Sequence, residues 1–157
     1  MVDPVDVELL TALAADPRAT VVALADRLGL SRTTVQARMA RLDKAGVFLS
    51  FERAISPTSL GFPIEALVSL IVHQVELPRI RQEISEIPEV VQVHGLSGPV
   101  DLVARVACRD TQHLFDVDAR LLAIEGVERT ETSLVMEEVI PYRLGPLLSL
   151  VRGAPAT

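Results

Sequence analysis

The sequence is nearly free of aromatic residues, with four phenylalanines, one tyrosine and no tryptophan among 157 residues. Its core must therefore consist of aliphatic side chains, and a hydrophobic content of 49% is enough for a packed globular protein. The single cysteine excludes an intramolecular disulfide and is typical of a reducing cytoplasm. No apolar run reaches the roughly 18 residues of a membrane span, and the N-terminus has acidic residues where a signal peptide has basic ones. We expect a cytoplasmic protein that makes no contact with a membrane.

Residues 1–46 predict three short helices. Asp3 is the N-cap of the first helix, with proline at the first helical position, and the proline after Asp16 ends it. Thr20 caps the second helix, and Gly29 follows it, where a left-handed residue ends a helix. Ser31 caps the third helix, whose apolar residues recur at positions i, i+4 and i+7. Helix, glycine turn and helix at this spacing predict a helix-turn-helix, whose second helix enters the major groove of DNA.

The third helix carries basic and polar side chains on the face opposite its apolar residues. Such side chains bind base edges and phosphates, and Arg32 and Arg41 suit either target. The alternative is a generic three-helix bundle with a solvated basic face. We favour the DNA-binding motif because the small, turn and core positions all fall where that motif requires them. The predicted DNA-binding residues are Ser31, Arg32, Thr33, Thr34, Gln36, Ala37, Arg38 and Arg41.

Charge is unevenly distributed along the chain, which has a net charge of −6. Seven basic and seven acidic residues balance within residues 1–60, so the whole acidic excess lies in residues 61–157. Between residues 31 and 45, four basic side chains oppose only Asp43. A locally positive helix joined to an acidic segment is typical of a DNA-binding domain with a separate sensing or assembly module.

The segment after Gly46 is predicted to be extended. Val47–Glu52 predicts a short strand, which makes the helix-turn-helix domain of residues 1–53 winged-type. Residues 54–63 are rich in serine, proline and glycine, which break regular structure, and we interpret them as a linker.

Residues 64–142 predict the order β-α-β-β-α-β, which is the ferredoxin-like arrangement. Two similar helix-to-strand connections, at Ile87 and Ile124, lie 37 residues apart, as expected of two related halves. The predicted fold class is therefore α+β, a winged-type helix-turn-helix domain followed by a ferredoxin-like βαββαβ sandwich. The strands are predicted at Ile64–Val75, Val90–Leu96, Val100–Ala107 and Thr130–Val139, with one helix opening at Pro78 and the other capped by Thr111.

Four short motifs follow one another along the chain between Val5 and Tyr142. They are Ala25-x-x-Leu28-Gly29-Leu30-Ser31, Val35-x-x-Arg38-Met39-x-x-Leu42-x-x-x-Gly46-Val47, Ser97-Gly98-x-x-Asp101 and Val135-Met136-Glu137-Glu138-Val139. Each motif is weak alone. In this order and spacing the chain resembles the Lrp/AsnC (leucine-responsive/asparagine-responsive, feast/famine) family of transcriptional regulators.

The resemblance implies a homodimer formed through the C-terminal domain, with dimers assembling into octamers. It also implies a small effector, commonly an amino acid, bound between dimers near residues 97–101. By that match the effector-binding candidates are Gly98, Asp101 and Ser133. A glycine lets a ligand approach the backbone, and a carboxylate can hold an amino group.

The chain departs from the family pattern at two places. The family usually has an acidic residue directly after the glycine, whereas this chain has Pro99 and then Val100, which removes one charge and one backbone donor. The family often has proline where this chain has Arg32, so the DNA contacts at that helix start differ too. Asp101 has a second interpretation, as a turn carboxylate beside Gly98.

We interpret the chain as a sequence-specific regulator that binds double-stranded DNA and is associated with the nucleoid. Two other function classes stay open, a nucleoid-organising protein with little sequence preference and, less favoured, an enzyme on the ferredoxin-like domain. We predict no catalytic residues and no cofactor, since the chain has no nucleophile-base pair or phosphate loop. His73, His94 and His113 lack ligand spacing with one another or with Cys108, so we predict no metal site. Residues 143–157 form an apolar tail, which we expect to pack on the domain or on a partner subunit.

Overall fold

The computed structural model describes residues 2–49 and 55–153. They divide into two units, one of residues 2–49 with 140–153 and one of residues 55–139. No helix in these residues is both long enough and apolar enough to cross a membrane. The elements are α1 (Pro4–Ala15), α2 (Val21–Leu28), α3 (Arg32–Lys44), β1 (Ile64–Val72), α4 (Leu77–Ser85), β2 (Val90–Gly95), β3 (Leu102–Cys108), α5 (Thr111–Leu122), β4 (Val127–Leu134) and α6 (Gly145–Gly153).

The three predicted N-terminal helices are confirmed, and each begins at its predicted cap. The Asp3 carboxylate accepts a hydrogen bond from the backbone N–H of Asp6, and the Thr20 hydroxyl accepts one from Ala23. The Ser31 hydroxyl accepts one from the N–H of Thr34 at 3.0 Å. Each cap satisfies a donor that has no partner inside the helix, which fixes where the helix begins.

The turn between α2 and α3 depends on Gly29, whose φ of 64° lies in the left-handed region. The N–H of Leu30 donates back to the carbonyl of Ala25 at 3.0 Å and closes the end of α2. A shared apolar core then holds α1, α2 and α3 together. Its buried members are Leu9, Ala12, Leu24, Ala25, Val35 and Leu42.

The predicted strand after α3 is wrong for Val47–Leu49, which do not form a strand. Gly46, at a φ of 70°, ends α3, and the N–H of Val47 donates back to the carbonyl of Leu42 at 3.0 Å. Val47 and Phe48 pack on the helical core, so this segment completes the helix end instead of pairing with a strand. The rest of that prediction, residues 50–52, lies outside the described residues.

The second unit contains a four-stranded sheet in the order β2-β3-β1-β4, with every neighbouring pair antiparallel. This is the order of a ferredoxin-like βαββαβ domain, so the predicted fold class is confirmed. Alternate residues of β1, from Ala66 to Val72, point at α4 and α5 and are buried. The intervening residues, including Leu67, lie on the face of the sheet opposite α4 and α5.

Several predicted boundaries in this unit are wrong because strand ends depend on the partner strand. The last strand is Val127–Leu134 and not Thr130–Val139, since β4 pairs with β1 from Val72 to Ala66. The first strand stops at Val72, before a 3-10 turn at Gln74–Glu76. The cap of α5 is Asp110 and not Thr111, because the Asp110 carboxylate accepts the N–H of His113 at 2.8 Å.

The internal repeat has the same geometry in both copies. The N–H of Val90 donates to the carbonyl of Ile87, and the N–H of Val127 donates to that of Ile124, both at 3.0 Å. Both isoleucines are buried beneath the sheet. Each bond turns the chain from a helix into the following strand, as the 37-residue spacing predicted.

The described part of the C-terminal tail forms α6, which belongs to the same unit as the three N-terminal helices. Arg152 of α6 lies 3.2 Å from the Glu8 carboxylate of α1. Leu148 is half-buried, whereas Leu147 and Leu150 are exposed. The tail therefore contacts the helical unit but leaves part of its apolar surface uncovered.

Candidate nucleic-acid interface and effector site

The apolar face of α3 is fixed in the helical core, which leaves its opposite face exposed. Val35 and Leu42, two turns apart, are 0% and 2% exposed. The exposed side chains on the other face include Thr33, Gln36 and Ala37. A polar helix face presented after a tight turn is the arrangement of a recognition helix.

The residues at the start of α3 form its N-terminal cap and also lie on its exposed surface. The Ser31 hydroxyl lies 2.8 Å from the Thr34 hydroxyl, in addition to accepting the Thr34 backbone N–H. Arg32 is exposed beside them and has no ion-pair partner among the described residues. No described carboxylate therefore compensates the positive charge of Arg32.

Two of the predicted DNA-binding arginines lie in a cluster of four charged residues, Asp3, Asp6, Arg38 and Arg41, which we term the α1–α3 ion cluster. Arg38 Nη1 donates to Asp3 Oδ2 at 2.6 Å and to Asp6 Oδ1 at 2.8 Å. Arg41 Nη2 contacts Asp6 Oδ2 and lies 3.4 Å from Asp3 Oδ2. The Asp6 side chain is fully buried, whereas those of Arg38 and Arg41 are 24% and 49% exposed. The cluster joins the start of α1 to the middle of α3.

Backbone hydrogen bonds hold the two aspartates of the cluster in place. The N–H of Asp3 donates to the Asp6 carboxylate and the N–H of Asp6 donates to the Asp3 carboxylate, both at 2.9 Å. This reciprocal capping box aims both carboxylates at α3. The sequence does contain a signal for this capping box, an acidic N-cap followed three residues later by a second acidic residue. That signal does not reveal that the two carboxylates contact α3.

Hydrogen bonds among Asp3, Asp6 and Arg38 stabilise the ionised form of each of these three side chains. The hydrogen bond from Arg38 lowers the pKa of Asp3. Burial opposes the charge of Asp6, but bonds from the Asp3 N–H, Arg38 and Arg41 outweigh it and lower the pKa of Asp6. Hydrogen bonds to Asp3 and Asp6 raise the pKa of Arg38. With these two aspartates included, the local positive excess of residues 31–45 falls from three to one.

A shallow hollow of about 460 Å³ lies on the surface of α3 above this cluster. The start of α1 forms one wall, through Asp3, and α3 forms the rest. The structure therefore brings five predicted DNA-binding residues to one concave surface, where a carboxylate joins them. The lining residues are Asp3, Thr33, Thr34, Ala37, Arg38 and Arg41.

The loop between β2 and β3 carries two of the predicted effector-binding residues, and Asp101 closes it. The N–H of Asp101 donates to the carbonyl of Leu70 at 3.0 Å, and its own carbonyl accepts the N–H of Leu96 at 2.8 Å. The Asp101 carboxylate accepts the N–H of Val72 at 2.9 Å and the side-chain amide of Gln74 at 2.5 Å. Asp101 is thus a turn carboxylate in this chain, and its contact with a ligand stays a prediction.

Gly98 lies at the exposed tip of this loop, with a φ of 150°. A Cβ atom built on Gly98 would meet no atom within 4 Å. The loop backbone is therefore accessible at this point, although Pro99 beside it offers no N–H donor.

Ser133, the third predicted effector-binding residue, lies far from this loop within one chain. It is exposed on β4 and pairs with Leu67, whereas Asp101 lies at the Val72 end of β1. Five residues of strand separate these positions, roughly 16 Å. The structure therefore brings Gly98 and Asp101 together and leaves Ser133 apart from them.

A groove of about 720 Å³ in the second unit lies between the 3-10 turn at Pro57–Leu60 and strands β2 and β3. Most of its lining is apolar, and its charged side chains already have partners. Arg105 holds the Glu65 carboxylate with two hydrogen bonds of 2.7 and 2.8 Å. The Glu89 carboxylate lies 2.9 Å from His113 Nε2 and 3.0 Å from Arg120. The predicted effector-binding residues are absent from the described residues that line it.

Within residues 2–49 and 55–153, no group of three or more histidine, cysteine, aspartate or glutamate side chains could hold a metal ion. Cys108 is fully buried at the end of β3. Burial and the charges of Glu89 and Asp110 raise the pKa of its thiol. Cys108 is therefore a core residue held in its neutral form.

Two family models match the two parts of the chain. The AsnC-type helix-turn-helix domain matches residues 2–43, and the Lrp/AsnC ligand binding domain matches residues 65–144. The first match contains α1, α2 and α3 up to Asp43, with the exposed polar face of α3. The second contains the four-stranded sheet from Glu65 onward and the loop at Gly98.

Relatives and solved structures agree with these matches. The HTH-type transcriptional regulator AldR of Mycolicibacterium smegmatis is 34% identical over 142 residues, covering 87% of this chain and 82% of that protein. AldR of Mycobacterium tuberculosis is 35% identical, with coverages of 87% and 79%. A feast or famine regulatory protein of M. tuberculosis, solved with L-methionine, superposes with a TM-score of 0.81 at 29% identity, covering 91% of this chain and 97% of that one. The chain belongs to the Lrp/AsnC family of HTH-type transcriptional regulators.

Proposed function

We propose that α3 recognises a specific sequence in the major groove of double-stranded DNA and that the second unit binds an amino-acid effector. The observation that carries the proposal is the exposed face of α3, which Gly29 and the buried Val35 turn away from the helical core. A side chain that must reach a base edge has to project from such a face. The regulator works in the cytoplasm, associated with the nucleoid.

The exposed residues of α3 divide by the DNA groups that they suit. The Gln36 amide can donate to and accept from one adenine edge, and Thr33 and Ala37 can contact a thymine methyl group. Arg32 suits a phosphate, which would fix the position of the helix without selecting a sequence. Gln36 is therefore the residue on which sequence preference depends most.

We propose a homodimer, with dimers assembling into octamers as the family resemblance implies, and the sheet face opposite α4 and α5 offers a contact surface for the dimer. Leu67 is exposed there, and Ile71 and Val103 are half-buried. Exposed apolar side chains such as these, beside the Arg105–Glu65 ion pair, are typical of a surface that a second protein surface covers. A dimer would present two α3 helices to half-sites one helical turn, roughly 10 base pairs, or a multiple of it apart. Sedimentation of the full chain would measure the assembly state directly.

The effector proposal rests on the loop at Gly98 and on a relative. The M. tuberculosis feast or famine protein binds L-methionine, and its fold covers 91% of this chain. In this chain Gly98 offers an accessible backbone, and the half-buried Asp101 offers a carboxylate for an amino group. Ser133 lies roughly 16 Å away within one chain, by the rise of a strand. Ser133 would therefore join such a site only from a second copy.

Selection of duplexes from a random library by the full-length protein tests the DNA proposal. We expect enrichment of one sequence with two related half-sites, and loss of preference at one or two of its positions in Gln36→Ala. The matched control is Gln82→Ala, which removes an exposed amide from α4 of the other unit and leaves the selected sequence unchanged. Binding without enrichment of any sequence would favour the nucleoid-organising function instead.

A thermal-shift screen with the twenty amino acids tests the effector proposal. A ligand that binds the folded state alone raises the melting temperature, and the rise grows with the logarithm of its concentration once that exceeds its Kd. We expect one or a few amino acids to stabilise the protein. Equal melting temperatures with all twenty at millimolar concentration would contradict an amino-acid effector and leave DNA recognition intact.

A further inference from the structure

The α1–α3 ion cluster gives the arginines of α3 different roles. We propose that Arg38 is a positioning residue that locks α3 onto α1 through the buried Asp6, and that Asp3 limits non-specific attraction of phosphates to α3. The inference rests on the proposed function, since it concerns how α3 meets DNA. Arg38, predicted from sequence to bind DNA, would then be a structural link within the helical unit.

Burial of Asp6 prevents Arg38 from exchanging its partners for a phosphate. The Asp6 side chain has no exposed surface, and its carboxylate depends on Arg38 at 2.8 Å and on Arg41 for opposite charge. A buried carboxylate that loses a charged partner is strongly destabilised, because water cannot replace the partner. The bond that Arg38 would form with a phosphate is exposed to water and therefore weaker. Arg38 stays with Asp6 when DNA binds.

The position of Arg38 explains what this link does for recognition. Arg38 follows Gln36 and Ala37 on α3, and Asp6 lies in the first turn of α1. A bond from one end of α1 to the middle of α3 sets the rotation of α3 about its own axis. That rotation decides whether Gln36 faces a base edge. A small change in the rotation misaligns the hydrogen bonds between Gln36 and the base and weakens them.

Arg32 provides the contrast within the same helix. It is exposed and has no ion-pair partner among the described residues. Its charge is therefore available to a phosphate, whereas the charge of Arg38 is neutralised by carboxylates at 2.6 and 2.8 Å. The two arginines should differ in how their removal changes the salt dependence of DNA binding.

Asp3 places a negative charge on the surface that would face DNA. Its side chain is 41% exposed and lines the hollow beside Thr33 and Ala37. A carboxylate there repels DNA phosphates whatever the base sequence. Contacts between α3 and base edges offset this repulsion only on the selected sequence. Asp3 should therefore lower affinity for random DNA more than affinity for the selected sequence.

The experiment measures DNA affinity by fluorescence anisotropy between about 50 and 200 mM salt, with the selected duplex and a random one. In Arg32→Gln we expect the slope of log affinity against log salt to shrink by about one per bound protomer. In Arg38→Gln we expect an unchanged slope with weaker binding to the selected duplex. An equal loss of slope in both variants would overturn the positioning role.

Arg38→Lys keeps the test valid if Arg38→Gln does not fold. Lysine retains the charge, so a phosphate contact would survive the change with its salt slope and affinity intact. Arg38 meets both Asp3 and Asp6 through one nitrogen, Nη1. The lysine side chain is shorter, so its ammonium falls short of that position, and a positioning role predicts weaker binding to the selected duplex. If the affinity of the wild-type protein did not depend on salt, DNA binding through phosphate contacts would itself be contradicted. That outcome differs from both results expected for the Arg38 variants.

Asp3→Asn tests the role of Asp3, because asparagine is an equally good N-cap but has no charge. We expect roughly two- to five-fold tighter binding to the random duplex, the range of an exposed ionic contact. The matched control is Asp16→Asn, the same change at the exposed C-cap of α1, where we expect no comparable gain. Equal effects of the two variants would show that only total charge matters and would overturn this role.

Discussion

The carboxylate of Asp101 accepts the backbone N–H of Val72 at 2.9 Å and ties the loop between β2 and β3 to the end of β1. Asp101 therefore has a structural role in every chain, whether or not a ligand is bound. The same carboxylate is the one proposed to hold the amino group of an effector. The two roles can be separated because they need different properties of the side chain.

We predict that Asp101→Asn retains stability but loses its response to the effector. The amide oxygen of asparagine can still accept the Val72 N–H, whereas no negative charge remains for an amino group. In Asp101→Ala that N–H loses its partner, and we expect a loss of about 1–3 kcal/mol in unfolding free energy. Thermal-shift curves with the stabilising amino acid measure both effects. If the amino acid raised the melting temperature of Asp101→Asn as much as that of the wild type, Asp101 would not be an effector-binding residue.

We predict that acid weakens the α1–α3 ion cluster. The pKa values of Asp3 and Asp6 are lowered from the ordinary value of 3.8. Their contribution to stability is therefore complete above that value and is lost as the pH falls through their lower folded-state values. Urea unfolding of the helices, followed by circular dichroism at a series of acidic pH values, measures the loss. Asp6→Asn should remove most of this pH dependence, and parallel curves for wild type and variant would contradict the prediction.

We predict that Gly126→Ala destabilises the second unit more than Gly61→Ala does. Both glycines have a φ near +90°, so alanine is strained at either position. A Cβ on Gly126 would lie 2.9 Å from the Glu76 Cβ, whereas a Cβ on Gly61 meets no atom within 4 Å. The difference in unfolding free energy between the two variants reports the clash alone. We expect this difference to be about 1–3 kcal/mol by chemical denaturation. Equal destabilisation would show that the clash relaxes at no cost.

We predict that Ala25→Leu disrupts the crossing of α2 and α3 and abolishes specific DNA binding. Ala25 is 3% exposed, within the core that supports the turn at Gly29. A larger side chain there must displace neighbours, at about 1–3 kcal/mol. Ala23→Leu, on the exposed side of the same helix, is the control and should leave stability and binding unchanged. Wild-type DNA affinity in a folded Ala25→Leu protein would contradict the proposed packing.

The features predicted correctly from sequence are those that depend on near neighbours. The caps at Asp3, Thr20 and Ser31 each involve a residue three positions along the chain, so their signals lie within one helical turn. Gly29 ends α2 for an equally local reason, its left-handed backbone. The order of strands and helices followed from periodicity, and the family from motifs that span both units.

The features that were missed depend on residues far apart in the chain. Asp6 and Arg38 are separated by 32 positions, so their bond appears only after α1 and α3 pack. The end of β4 at Leu134 depends on its pairing with β1, since Leu134 pairs with Ala66 near the start of that strand. Val47 looked like the start of a strand, but its N–H bonds back to α3 instead. In each case the tertiary partner decided between local structures that the sequence permits.

The central claim, sequence-specific recognition by α3, is tested most directly by the ratio of two dissociation constants. The full-length protein is titrated at one physiological salt concentration with its selected duplex and with a scrambled duplex of equal length and composition. We predict that the selected duplex binds at least about 10³-fold more tightly, and that Gln36→Ala reduces the ratio by at least about ten-fold. A ratio near one for the wild-type protein would contradict the account.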